Sequence, residues 1–283
     1  MNGTGEPATA EMGDPRQAIA GLFDRTSETY DTLGVTFFRA FADDLLAEVK
    51  LAPGERVLDV GCGRGAALFP AAQQVGDGGS VLGIDLAAEM VERTARDIAD
   101  RGLSNVSVSV MDAQEPTLDE TFDVVLASFV VFFLPDPLVG LRSWHGLLAP
   151  GGRIGVTTFG DDDPRWAKVR DVFRPFVTPE VAWALATRAG LFATVANFDQ
   201  GMESVGFTGV STVERRYPVT FTDPEQWITW SWSHGQRMFW EMVPADRRRE
   251  VHEAVLAALE PLREPDGSIV MIQTVRYTVA HRG

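Results

Sequence analysis

One cysteine, Cys62, in 283 residues excludes an internal disulfide and removes any need for an oxidising compartment. Long hydrophobic runs are also missing, and no stretch approaches the roughly 20 apolar residues of a membrane-spanning helix. Residues 1–13 lack the basic start and apolar core of a secretory signal and read as a polar tail. Positive charge is scarce: 25 Lys and Arg face 40 Asp and Glu, for a formal net charge of −15. Such a field disfavours nucleic acid, whose binders carry a basic patch. The one basic run, 247–249, is flanked by Asp246 and Glu250 and reads as a solvated helix face. These deficits point to a cytoplasmic protein acting on a small molecule, with neither nucleic acid nor membrane as partner. A homodimer is compatible with them.

The chain does contain a distinctive run at residues 57–65, Val-Leu-Asp-Val-Gly-Cys-Gly-Arg-Gly. Val57, Leu58 and Val60 make a short buried strand, and Gly61, Gly63 and Gly65 let the backbone turn tightly and come close to a ligand. A helix over 66–75 follows. Spacing alone also satisfies a dinucleotide pattern through Gly61, Gly63 and Ala66, so a nicotinamide oxidoreductase is one alternative. Asp59 separates the two. A carboxylate beside the turn repels a pyrophosphate and suits a cationic ligand; S-adenosylmethionine (SAM) has no phosphate and carries an ammonium and a sulfonium.

Strand and helix then alternate. Residues 15–50 have a helical pattern, with Phe37, Phe41, Leu45 and Val49 on one face, and Pro53-Gly54 ends it. Further strands are expected at 80–84, 106–110, 122–127 and 153–158, with helical segments between them. The alternation predicts an α/β fold, a parallel sheet wound on both sides. Ligands of such sheets lie at the carboxyl ends of the strands, near the switch in strand order. Asp59, Asp85, Asp112 and Ser128 all fall at or just beyond those ends. Two final strands at 207–217 and 269–279 bring the count to seven, as an antiparallel pair. Residues 222–264 read as a helical lid.

Several motifs in this order resemble those of class I SAM-dependent methyltransferases, nearest to the small-molecule enzymes of ubiquinone and menaquinone biosynthesis and their natural-product relatives. Residues 57–65 resemble the SAM-binding glycine motif, and Gly83-Ile84-Asp85-Leu86 the second motif. Met111-Asp112-Ala113 is similar to the third, Phe122-Asp123-Val124-Val125 with Ser128 to the fourth, and 148–152 to the turn before the fifth strand. The resemblance implies a Rossmann-like, doubly wound sheet, mainly parallel, and SAM as cofactor. It implies that Gly61, Cys62 and Gly63 hold the methionine portion beside Asp59, and that Asp85 takes the ribose hydroxyls. Asp112 would accept from the adenine amino group, with Leu86 and Ala113 on either side of the ring. Tyr30 lies where relatives have a tyrosine closing over the cofactor, or else is simply buried by its helix. The implied organisation is a tail at 1–14, a helical cap at 15–51, a SAM-binding core at 52–160, and a C-terminal part at 161–283 that includes the lid.

In-line methyl transfer needs alignment first, worth up to about 7–11 kcal/mol, and a base only if the acceptor loses a proton. His234 is the candidate base, since neutral imidazole titrates near working pH; the alternative is a structural histidine. Trp230, Trp232 and Trp240, with Arg237 and Phe133, form a candidate wall for a flat or apolar acceptor, or else attach the lid to the sheet. Asp163 reads as an N-cap before Pro164. Asp161 and Asp162 have no second ligand set beside them, and no metal is assigned. The expected activity is transfer of a methyl group to O, N or C of a small metabolite. The alternative is a SAM-binding protein of this fold that catalyses a cyclisation or serves as a binding module.

Overall fold

The computed structural model describes residues 14–283, so the tail expected at 1–14 lies outside the described residues except for Asp14. Asp14 accepts a hydrogen bond from Arg16 N at 2.9 Å and caps helix α1 (Pro15–Thr26), with Pro15 at its first position. Helix α2 (Phe38–Val49) buries Phe41, Leu45 and Val49 on the expected face. The pattern at 15–50 is therefore two helices, not one. Residues 27–37 break it, with Asp31 and Gly34 at φ 58° and 78°, left-handed positions that a helix does not accept.

The core comprises β1 (Arg56–Val60), α3 (Leu68–Val75), β2 (Ser80–Asp85), α4 (Ala88–Asp100), β3 (Val106–Val110), β4 (Phe122–Ser128), α5 (Pro137–Leu147) and β5 (Leu148–Phe159). Asp136 accepts from the amides of Leu138 and Val139, and Pro137 opens α5 as expected. Residues 148–152 belong to β5, because Leu148 already pairs with Phe122 before a register shift. After α6 (Ala167–Phe173), α7 (Pro179–Phe192) and α8 (Val195–Ser204) come β6 (Phe207–Phe221), α9 (Pro224–Trp232), α10 (Arg237–Met242), α11 (Arg248–Leu259) and β7 (Ile269–Arg282). Helix α8 was not foreseen. Its buried Phe198 and Met202 pack into the core layer that contains Leu141 and Trp144 of α5.

The seven strands run in the order β3-β2-β1-β4-β5-β7-β6. The first five are parallel, and β7 is antiparallel to both β5 and β6. Strands with apolar residues on both faces need cover on both. Val57, Val81, Val124 and Leu126 face α2, α3 and Ile98 of α4, whereas Leu58, Ile84, Val125 and Ala127 face α5 and α8. Strand order switches between β1 and β4, so their carboxyl ends, Val60 and Ser128, open the crevice where a ligand binds. Helices α9 to α11 pack with β6 as a third apolar cluster around Trp227, Trp230, Trp240 and Phe221, and Trp230 of α9 with Met238 and Phe239 of α10 line the crevice. No helix among the described residues is long and apolar enough to cross a membrane.

Candidate active site

A cavity of about 350 Å³ opens at that switch. All of Tyr30, Asp59, Gly61, Cys62, Gly63, Asp85, Leu86, Asp112, Ala113 and Ser128 line it, as do Phe133, Trp230 and His234.

Its polar half is built on the tips of β1, β2 and β3. Gly61 has φ 66°, and a Cβ there would lie 2.4 Å from Val130 Cγ2, so only glycine fits. Gly63 has φ 50°, and a Cβ would meet nothing within 4 Å, because the cavity lies in front of it. Cys62 N donates to Ile84 O (3.0 Å) and Gly63 N to Asp85 Oδ2 (2.8 Å), tying the turn to β2. Asp85 Oδ1 accepts from Ala87 N at 2.9 Å. Asp112 Oδ1 accepts from Gln114 N (2.8 Å), and its Oδ2 lies 3.1 Å from Arg16 Nη1.

Asp59 is 1% exposed, and among the described residues neither carboxyl oxygen has a hydrogen-bond partner. Burial, reinforced by the Asp85 charge and opposed by the nearby Leu68 amide at the start of α3, pushes its pKa up to about 8. Burial also raises Asp85, against the pull of its two amide donors. The Cys62 thiol is pushed well up by burial and by Asp85 and Asp59, so it stays protonated and is no nucleophile. An orphaned buried carboxyl group calls for a cation. The open space before Gly63 and the acidic strand tips fit SAM, with its ammonium and sulfonium, and do not fit a pyrophosphate.

The other half is aromatic. Phe129, Phe132 and Phe133 follow β4, Phe37 and Phe38 begin α2, and Phe239 belongs to α10. Their rings touch one another: Phe129 lies 4.6 Å from Phe159, and Phe23 5.2 Å from Phe133, edge to face. Tyr30 joins the two halves. Its ring stacks on Phe38 (5.7 Å) and tilts against His234 (4.7 Å), while burial and the Asp31 and Asp85 charges raise its hydroxyl pKa.

His234, 2% exposed, lies between the rings of Trp230 (4.6 Å) and Phe38 (5.5 Å). Ser233 Oγ donates to Trp230 O at 2.7 Å, and His234 Nδ1 lies 2.7 Å from that Oγ and 3.1 Å from the same carbonyl. A carbonyl can only accept, and the hydroxyl proton is already committed to it. The network is therefore satisfied when Nδ1 carries the imidazole proton. Nε2 then bears the lone pair; it is buried and has no partner among the described residues. Burial lowers the imidazole pKa to about 4, leaving the ring neutral at working pH.

Three expected acceptor contacts need correction: Trp232, Arg237 and Trp240 do not line the cavity. Trp240 is 1% exposed within the lid core, donates from Nε1 to Ser231 Oγ at 2.8 Å, and meets Phe173 edge to face. Trp232 stacks on it at 5.4 Å, and Arg237 is held by Glu241 at 2.7 Å. Nor do residues 161–163 line the cavity; Asp163 caps the turn at Pro164–Trp166 and accepts from Arg165 N. Trp240→Ala should therefore lower stability by about 3–5 kcal/mol through lost packing. Urea unfolding should report that loss while calorimetry shows SAM affinity retained in the folded fraction.

Sequence reasoning missed Arg16, Asp31 and Gln273, which line the cavity, along with Phe37, Phe38, Phe129, Phe132 and Phe159. Phe129, Phe132 and Phe133, just beyond the tip of the fourth strand, were a readable signal. Gln273, in mid-strand on β7, had none, because its placement depends on the antiparallel return of that strand.

A family profile described as a methyltransferase domain matches residues 57–152. The chain is 40% identical over 245 residues to nocamycin O-methyltransferase of Saccharothrix syringae, covering 81% of this chain and 86% of that one. It is 42% identical over 170 residues to aklanonic acid methyltransferase of Streptomyces sp. (strain C5), covering 58% and 72% respectively. Haemonchus contortus phosphoethanolamine N-methyltransferase 2 in complex with S-adenosyl-L-methionine superposes with a TM-score of 0.61 at 14% identity, over 98% of this chain and 62% of that one. At so low an identity the superposition speaks for the fold alone. With the acidic strand tips, the glycine turn and a relative of this identity across most of its length, the chain belongs to the class I SAM-dependent methyltransferases that act on small molecules.

Proposed function

We propose that the enzyme methylates a hydroxyl oxygen of a small, flat, largely apolar metabolite, and that His234 Nε2 accepts the hydrogen of that hydroxyl. One observation carries this reading: a buried imidazole that lines the cavity, its Nδ1 beside the Ser233 hydroxyl and the Trp230 carbonyl and its Nε2 without a partner among the described residues. A lone pair so placed selects an acceptor that donates a hydrogen bond, and the aromatic walls select a flat body around it. The name of the Saccharothrix syringae relative, an O-methyltransferase, supports the same atom. The enzyme works in a reducing cytoplasm, where Cys62 remains a thiol.

Bound at Asp59, Asp85 and Asp112, SAM supplies an electrophilic methyl group for in-line displacement. The chain's own residues do the rest. Phe133 and Trp230 orient the acceptor ring, and Tyr30 lies where the two halves meet. His234 fixes the direction of the hydroxyl lone pairs and takes its proton as the O–C bond forms. That proton becomes strongly acidic during bond formation, so even a base weakened to a pKa of about 4 accepts it.

The test is a panel of matched acceptors, each offered with labelled SAM as a phenol or enol, as the corresponding amine, and with the hydroxyl already capped. Methyl ether formation confined to the hydroxyl compounds is expected. Methylation of the amines, or of carbon in the capped compounds, contradicts the reading.

A further inference from the structure

We propose that Asp31 is a cofactor-binding residue whose carboxylate faces the sulfonium of SAM, so that the site holds the methyl donor more tightly than its neutral thioether product. Asp31 directly follows Tyr30 on the loop between α1 and α2 and lines the cavity. Its φ of 58° is left-handed, a conformation that Asp adopts more readily than most side chains. Its Oδ1 is buried and, among the described residues, has no hydrogen-bond partner.

The two arginines lining the cavity do not supply the missing cation. Arg16 is engaged by Asp112 and Glu115, and Arg64 by Asp97 and the Ser27 carbonyl through its two Nη atoms, with its Nε left without a partner among the described residues. Two lining carboxyl groups thus have oxygens without a partner, Asp59 and Asp31, and SAM carries two cationic centres. Asp59 lies on β1 just before the glycine turn. Asp31 lines the cavity directly after Tyr30, whose ring touches His234. A methyl group passed from one half to the other must lie at their junction, and so must the sulfur that carries it. Burial lifts the Asp31 carboxyl pKa to about 6, and a neighbouring cation would bring it back down.

This placement rests on reading the His234 side as the acceptor side. The test contains no acceptor, so its outcome is separable from that of the acceptor panel. Calorimetric titration of the full-length wild type and Asp31→Asn with SAM, S-adenosylhomocysteine and sinefungin gives the comparison. Sinefungin carries an ammonium near the position of the sulfonium methyl. Asp31→Asn should weaken SAM and sinefungin by about tenfold and leave S-adenosylhomocysteine within about twofold. Asp31→Gly, which also relieves the left-handed backbone, should show the same split. Unchanged SAM affinity, or a parallel loss for S-adenosylhomocysteine, overturns the proposal, since the latter ligand retains the amino-acid ammonium and lacks only the sulfonium.

Discussion

Asp59→Asn should make the ligand-free enzyme more stable while it loses its cofactor. The folded-state pKa of Asp59, about 8, stands far above its ordinary value of 3.8. Below pH 3.8 the carboxyl is protonated in folded and unfolded chains alike, and burial carries no ionic cost. As the pH rises the unfolded chain releases its proton first, so stability falls steadily until about pH 8 and then levels off. The gap of about four units corresponds to about 5 kcal/mol, an upper figure because water entry relaxes a buried charge. Asparagine removes the ionisation at nearly constant volume. Urea unfolding should therefore show Asp59→Asn more stable than wild type by about 3 kcal/mol at pH 8 and nearly equal to it at pH 4. SAM affinity should fall about a hundredfold with the loss of a charged partner. Equal stability at both pH values would mean that Asp59 is not the uncompensated charge described above.

His234→Gln should cut kcat by about two to four orders of magnitude, the range of general acid–base contributions, while SAM affinity stays unchanged. Glutamine can still accept a hydrogen bond near the Nε2 position but cannot take a proton at working pH, so it separates orientation from proton acceptance. A small loss with an unchanged pH profile would reduce His234 to an orienting residue. The pH profile of the wild type offers a second reading. With the imidazole pKa near 4, activity should decline on an acidic limb well below the ordinary histidine value of 6.5. Stability follows the same group in the direction opposite to Asp59. The contribution of a neutral buried histidine is present above pH 6.5 and is lost as the pH falls through about 4, a change of about 3 kcal/mol that His234→Gln should lack.

The acidic half of the cavity was legible in the sequence because its parts are local. Asp59, Asp85 and Asp112 each end or closely follow a short apolar strand, and parallel strands joined by helical crossovers bring their tips to one edge whatever the rest of the chain does. The lid was legible only as a helical, tryptophan-rich segment. Which ring faces the cavity depends on how α9 and α10 lie against β6 and α6, a tertiary choice that composition does not carry. Periodicity held part of the answer, for Trp230 and His234, four residues apart, share the face that lines the cavity, whereas Trp232 lies off that face and stacks on Trp240. Asp31 was hidden for another reason. It owes its position to a left-handed residue in the break between two helices, a break that the helical pattern over 15–50 does not mark.

The most direct measurement is calorimetric titration of SAM into the wild type and into Asp85→Ala, with near-UV circular dichroism to confirm that both are folded. Asp85 sits at the centre of the acidic cup, held by the amides of Gly63 and Ala87. The wild type should bind SAM with an affinity in the micromolar range, and removal of the carboxylate should weaken it by about a hundredfold. A folded wild type with no measurable affinity, or an Asp85→Ala variant that binds as tightly as its parent, would contradict the account of a cationic nucleoside held by carboxylates at the strand tips.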